Sequence, residues 1–187
     1  MRKLILVRHS LPEIVPNVTY DKWQLSREGR RRCKLLAKSL ADYQPMSIST
    51  STERKAVETA EIIANHLGLS FEQAPNLHEN DRTDLGMLNS AEIDNLFKSF
   101  FSRTDEYIMG RETADQARSR FISAVEEVVS RKPDGNVAIV AHGTVITLFT
   151  SHFSEVDAFT FWKELGIPSV VIFSIADYRL LKVSGQN

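Results

Sequence analysis

Leu4-Ile5-Leu6-Val7-Arg8-His9-Ser10 is the stretch that decides the fold. Four large apolar residues run without alternation into an arginine and a histidine. Such a run is what a strand buried on both faces requires, because each face must meet a covering layer. The polar pair then falls where the strand ends, and open parallel sheets bind their ligands beyond the carboxyl ends of the strands. A second stretch, Asn136-Val137-Ala138-Ile139-Val140-Ala141-His142-Gly143, repeats the pattern. Two buried strands that each deliver a histidine at the C-terminal end point to one site built from both.

The rest of the chain alternates strand and helix, which predicts a single domain over residues 1–187 of three-layer α/β/α type. Its central sheet is expected to be mostly parallel and flanked by helices. A loop from Leu11 to Leu25 carries Pro12 and Pro16, and Ser26 is placed to cap a helix with Cys33, Leu36, Ala37 and Leu40 at helical spacing. Met46 to Ser49 reads as a short strand. Thr50 and Glu53 have capping-box spacing for the helix that follows, whose apolar face is Ala56, Ala60, Ile63, Ala64 and Leu67, with Gly68 ending it. Phe71 to Ala74 suits an edge strand, and Asn76 to Ser90 is polar and irregular. Helical patterns follow over Ala91–Phe101, Glu112–Arg131, Thr144–His152 and Asp157–Leu165. Ser169–Phe173 and Tyr178–Val183 form an expected closing hairpin around Ala176-Asp177.

The chain has 187 residues, of which 42% are apolar and 25% charged, with a formal net charge of −1. That balance argues against a nucleic-acid partner, which calls for a basic excess. No stretch approaches the roughly 18 apolar residues of a membrane span. The apolar run after Met1-Arg2-Lys3 is too short for a signal-peptide core. Cys33 is the sole cysteine, so no intrachain disulfide forms and a packing role is expected. A soluble cytoplasmic protein is the expectation. Arg30, Arg31 and Arg32 read as a solvated helix face. No His, Cys, Asp and Glu cluster has metal-site spacing, and no glycine-rich phosphate loop is present.

Val7-Arg8-His9-Ser10 and Ala141-His142-Gly143 resemble the two motifs of the histidine phosphatase superfamily, also called phosphoglycerate-mutase-like. The likeness extends from about Lys3 to about Phe173 and includes Leu25-Ser26-Arg27-Glu28-Gly29, which is similar to the family's helix-opening pattern. The resemblance implies a phosphate monoester hydrolase acting through a phosphohistidine, with no metal or cofactor. His9 would be the nucleophile, Arg8 its phosphate-binding neighbour, and His142 the second histidine on the equatorial oxygens. Leu77-His78-Glu79 resembles the family's Leu-x-Glu, which makes Glu79 the general acid. Donation near neutral pH would then call for a raised pKa. Asp81 is the acid if the loop register differs, and Arg82 is a possible supplementary cation.

One segment departs from the family. The usual Ser-Ser-Pro-x-x-Arg-Ala-x-x-Thr-Ala carries a second phosphate-clamping arginine, whereas this chain reads Thr50-Ser51-Thr52-Glu53-Arg54-Lys55-Ala56-Val57-Glu58-Thr59-Ala60. The ungapped match puts Lys55 on the clamp position and Arg54 one residue earlier, about 100° away around a helix. It favours Lys55 pointing inward and Arg54 outward. A helix start shifted by one residue would reverse them. Lysine brings charge without arginine's bidentate fork.

Asn17, in the first loop, is a further candidate phosphate contact, although its spacing from His9 is not the family's usual one. Gly143 and Thr144 open a helix whose backbone N–H groups favour an anion. Trp23, Phe97, Phe100, Phe101 and Trp162 either line a substrate pocket or pack in the core. His66 and His152 read as structural. The expected partner is a small phosphorylated metabolite, with a phosphoprotein as a second option. The alternatives are a phosphoglycerate-mutase-type transferase and a non-catalytic phospho-ligand binder on the same scaffold.

Overall fold

A computed structural model describes residues 1–82 and 89–186. Among these, the sheet has six strands: β1 Lys3–Arg8, β2 Pro45–Thr50, β3 Phe71–Gln73, β4 Asn136–Ala141, β5 Leu165–Ser174 and β6 Leu180–Gln186. They lie in the order β3-β2-β4-β1-β5-β6. β1, β2, β3 and β4 run parallel, while β5 is antiparallel to both β1 and β6. The helices are α1 Arg27–Leu40, α2 Arg54–Leu67, α3 Ser90–Ser102, α4 Ala114–Ser130, α5 Gly143–Phe153 and α6 Ala158–Glu164. The predicted α/β/α architecture is the observed one. No helix among the described residues is long and apolar enough to cross a membrane.

The unalternated apolar runs have a direct cause. Leu4 and Leu6 of β1, with Val137 and Ile139 of β4, face a cluster built on Phe121, Val125, Phe149 and Phe173. Ile5, Val7, Ala138 and Val140 face the opposite cluster, which includes Cys33, Ala37, Ala56 and Ile63. Both sheet faces are covered, so neither face of β1 or β4 tolerates a polar residue. The Cys33 thiol is buried in that second layer, and burial pushes its pKa up to about 12, as a packing role requires.

Ser26 caps α1 as expected, its hydroxyl accepting from the Gly29 N–H at 2.9 Å. The predicted start of α2 requires correction. Thr50 is the last residue of β2, paired with Val140, and its carbonyl accepts from Ala74 N–H at 2.9 Å. Its backbone is committed to the sheet, so α2 begins only at Arg54, with Glu53 at the N-cap and no side-chain cap bond. The Glu53 side chain is turned inward instead. The irregular segment expected over 76–90 is described only in part: residues 83–88 lie outside the described residues. Arg31 and Arg32 both pair with Glu28 on an exposed helix face.

Candidate active site

β1 and β4 are neighbours in parallel register, with Arg8 opposite Ala141, so their C-terminal ends deliver His9 and His142 side by side. The His9 N–H continues the ladder to the Ala141 carbonyl at 3.0 Å. The two imidazoles sit with centroids 5.1 Å apart and planes at 60°. Thr59 of α2 braces this end of the sheet: its hydroxyl accepts from Ser10 N–H at 3.1 Å and donates to the Lys55 carbonyl at 2.8 Å.

His9 Nδ1 lies 2.8 Å from the Ser10 carbonyl. A carbonyl only accepts, so Nδ1 carries the hydrogen, and a neutral ring leaves its lone pair on Nε2. Burial, then the neighbouring His142, Lys55 and Arg8, holds the His9 pKa well below the usual imidazole range. His142 is fully buried and is likewise held low, first by burial and then by Lys55. Its Nε2 is 2.8 Å from the Ser51 hydroxyl and 3.4 Å from Glu53 Oε1.

The Arg8 guanidinium donates to the Leu165 carbonyl. Burial brings its pKa down to about 10 against the opposing pull of Glu79. Gly143 makes room for it, since a Cβ at that position would stand 2.8 Å from Arg8 Nε. Arg8 Nε, His142 Nδ1 and the Thr144 hydroxyl are buried without a hydrogen-bond partner among the described residues.

Lys55 and Arg54 part as the ungapped match requires. Lys55 is buried, and its ammonium donates to the Tyr20 carbonyl at 2.8 Å and to Glu53. The Arg54 side chain is 60% exposed and pairs with Glu58 at 3.5 Å on the surface. Glu79 is buried at the head of α5. Its carboxylate accepts from Thr144 N–H at 3.1 Å, Val145 N–H at 3.3 Å and Asn80 N–H at 3.0 Å. The anion held by the amides of this helix end is therefore the protein's own. Burial alone would raise the Glu79 pKa, but Arg82, His142 and the Thr144 N–H together outweigh it and the net direction is down. The raised pKa expected from sequence is not that of the free protein.

Arg82 joins the pocket, with its guanidinium 3.9 Å from Glu79 Oε2 and packed over the rings of Tyr20 and Phe97. Asn17 is not brought in. It is exposed at a positive φ of 62°, in a turn closed by Val18 N–H to the Val15 carbonyl at 3.2 Å. With Pro16 before it, that is a turn requirement. His66 and His152 are exposed. Phe97, Phe100 and Phe101 pack together, and Phe97 stacks on Trp162 at 3.9 Å. Trp23 donates its ring N–H to the Val18 carbonyl at 2.9 Å.

Sequence reasoning missed Tyr20, Ser51 and above all Glu53. Glu53 accepts from Glu79 N–H at 2.7 Å as well as from Lys55. A usable signal was the lysine itself, because a buried ammonium demands a counter-ion and Glu53 is the nearest acid in sequence. A cavity of about 290 Å³ opens beside Glu53, lined also by Tyr20, Asp21, Thr52, His78 and Asp81. A larger one, about 350 Å³, lies at the other end of β2 and β3 among Met46, Phe71 and Arg131 and contains no predicted site residue. No group of three or more His, Cys, Asp or Glu side chains among the described residues is placed to hold a metal ion.

Solved structures share this arrangement of strands and helices. A mycobacterial glucosyl-3-phosphoglycerate phosphatase superposes with a TM-score of 0.79 at 23% identity, covering 100% of this chain and 99% of its own. The YhfR protein of Bacillus stearothermophilus gives 0.79 at 24% identity, with 100% and 98% covered. A phosphoserine phosphatase variant from Entamoeba histolytica, in complex with phosphoserine, gives 0.78 at 17% identity, with 100% and 97% covered. At these identities the likeness is one of fold. No protein of curated function matches the sequence significantly. The sequence profile of the histidine phosphatase superfamily, branch 1, matches residues 4–184, from within the first strand to within the last, and the chain belongs to that superfamily.

Proposed function

We propose that the protein hydrolyses phosphate monoesters of small metabolites through a phosphohistidine at His9. The observation that carries this reading is the tautomer of His9. Its Nδ1–H is fixed on the Ser10 carbonyl, which leaves an Nε2 lone pair beside half-buried Arg8 and buried Lys55. A neutral imidazole with a free Nε2 is a competent nucleophile toward phosphorus. The surrounding cations suit the equatorial oxygens of a phosphoryl group in flight. The unpaired Arg8 Nε, His142 Nδ1 and Thr144 hydroxyl add polar atoms that a bound phosphate can satisfy.

In the proposed sequence, His9 Nε2 attacks phosphorus in line and the P–O ester bond breaks. The leaving oxygen takes a proton from Glu79. Glu79 is ionised in the free protein, so this proton enters with the substrate as the phosphate monoanion. The incoming negative charge favours its transfer to the carboxylate. Water then cleaves the P–N bond, giving its proton to Glu79 and releasing inorganic phosphate. Arg8, Lys55 and His142 hold the phosphoryl oxygens throughout. No metal or organic cofactor enters these steps. A reducing, cytoplasmic setting belongs to the proposal, in keeping with the single buried Cys33. Two structural neighbours carry the names of phosphatases of small phosphorylated metabolites, and that class is the substrate proposed here.

The test is the purified protein with an aryl phosphate, without added metal. Hydrolysis that disappears in His9→Ala supports the enzyme. Phosphate binding without turnover by the intact protein would favour a phospho-ligand binder on the same scaffold.

A further inference from the structure

Glu53 sits among the cations of the phosphate pocket, and the proposed hydrolysis gives it no task. It is buried. Its Oε2 accepts from the Lys55 ammonium, while its Oε1 accepts from Glu79 N–H at 2.7 Å and lies 3.4 Å from His142 Nε2. A carboxylate here has the sign a phosphate pocket should avoid. The three cations Arg8, Lys55 and Arg82 face two carboxylates, Glu53 and Glu79, so a phosphate dianion would turn the cluster negative. Nor can Lys55 turn fully to phosphate while Glu53 holds its ammonium.

We propose that Glu53 is a counter-anion from which an incoming tetrahedral dianion takes Lys55, and that this exchange is coupled to uptake of one proton by the Glu53–His142 pair. The inference rests on the phosphatase reading for the identity of the anion. Once Lys55 turns to the dianion, Glu53 faces an uncompensated negative charge in a buried site, and a proton from solvent restores the balance. The proton comes to lie between Glu53 Oε1 and His142 Nε2, which already approach one another.

The other groups facing Glu53 fit this assignment. Tyr20 is already committed, its hydroxyl donating to the Asn80 carbonyl and accepting from Arg82 N–H, both at 3.1 Å. Glu79 accepts from three amides and, with a dianion that carries in no proton of its own, stays ionised. Asp21 and Asp81 line the same cavity and add negative charge that favours proton uptake, while His78 beside them is less easily protonated than usual because it is partly buried. The bound state therefore carries one more proton than the free state. Affinity rises as pH falls, by up to about tenfold per pH unit where the exchange is complete.

Sulfate is the suitable probe, because it stays a dianion throughout the neutral range and contributes no titration of its own. Calorimetry in two buffers of different ionisation enthalpy counts the protons taken up. At about pH 7 the wild-type protein should take up close to one proton per sulfate. Glu53→Gln should take up less than about half of that and, at about pH 8, bind sulfate about tenfold tighter, because a negative charge has left a low-dielectric site. Lys55→Gln should shift affinity the opposite way. Weaker sulfate binding in Glu53→Gln with unchanged proton uptake overturns the inference and leaves the phosphatase reading standing. Failure of both sulfate and inorganic phosphate to bind the wild-type protein overturns both. Should Glu53→Gln not fold, a wild-type proton count near zero overturns the inference by itself.

Discussion

The two strand ends that carry His9 and His142 and the segment where β2 passes into α2 adjoin one another, with His142 Nε2 2.8 Å from the Ser51 hydroxyl, and they are built on different principles. At the strand ends the backbone does the positioning. Adjacent parallel strands in register leave the two imidazoles 5.1 Å apart, with His9 N–H still in the ladder. In the β2–α2 segment, side chains do it. Lys55 is held by a carboxylate and a carbonyl, and that carboxylate also holds the Glu79 backbone. A backbone-built wall is held by ladder bonds that no side-chain replacement removes, provided that both faces of the sheet stay apolar and covered. A wall built by a buried ion pair answers to any change in either partner, because the remaining charge is left unpaired.

The largest effect should come from the backbone-built wall. His9→Ala is expected to reduce hydrolysis by at least about 10⁴-fold, since the proposed nucleophile is removed, while the fold survives. Steady-state rates together with a thermal melt check both halves, and an unfolded variant would break the comparison. Next is Lys55→Ala in the first turn of α2. It should cost about 10²-fold in kcat/KM and, unlike His9→Ala, about 3–5 kcal/mol of stability from the stranded Glu53. Arg54→Ala, one residue away and exposed, should stay within about 0.5 kcal/mol in a denaturant titration and within twofold in rate. A crippling Arg54→Ala beside a silent Lys55→Ala would reverse the assignment of the clamp.

Most of the first wall was legible in sequence, and the reason is periodicity. Two short unalternated apolar runs, each ending in a histidine and set between helical patterns, suit strands covered on both faces, and that places His9 and His142 at one edge. The β2–α2 segment was legible only in part. The match of Ala56, Thr59 and Ala60 fixed the helix register, and Lys55 is inside. The Thr50–Glu53 capping box failed because Thr50 is held in the ladder opposite Val140, which local spacing does not reveal. Glu53 does stand at the helix end, but its carboxylate makes no cap and lies among Lys55, Glu79 and His142 instead. The lowered pKa of Glu79 was legible only in part: Arg82, three residues on, lowers it most, but His142 and the Thr144 N–H, which add to that effect, meet it only in the fold.

Smaller effects sharpen the same contrast. Gly143→Ala should raise KM by about tenfold and cost about 1–3 kcal/mol, because its Cβ would stand 2.8 Å from Arg8 Nε and displace the guanidinium. An unchanged KM would mean that Arg8 does not hold phosphate. Acid should loosen the site through its histidines. Both have folded pKa values depressed below the unfolded value, so below about pH 6.5 the unfolded chain binds protons that the native state refuses. Stability should be level above that pH and fall below it by up to about 1.4 kcal/mol per pH unit for each histidine. Urea midpoints of wild type and His142→Asn should converge as pH falls if His142 carries its share. Parallel curves would contradict it.

The covalent intermediate is the claim on which the rest depends. Rapid quench of the protein with a labelled aryl phosphate, followed by peptide mapping under alkaline conditions that preserve phosphohistidine, tests it directly. The account predicts label on His9 that forms within one turnover, decays at the rate of product release and is absent from His9→Ala. Label on His142, or turnover with no labelled peptide at any time point, would contradict it.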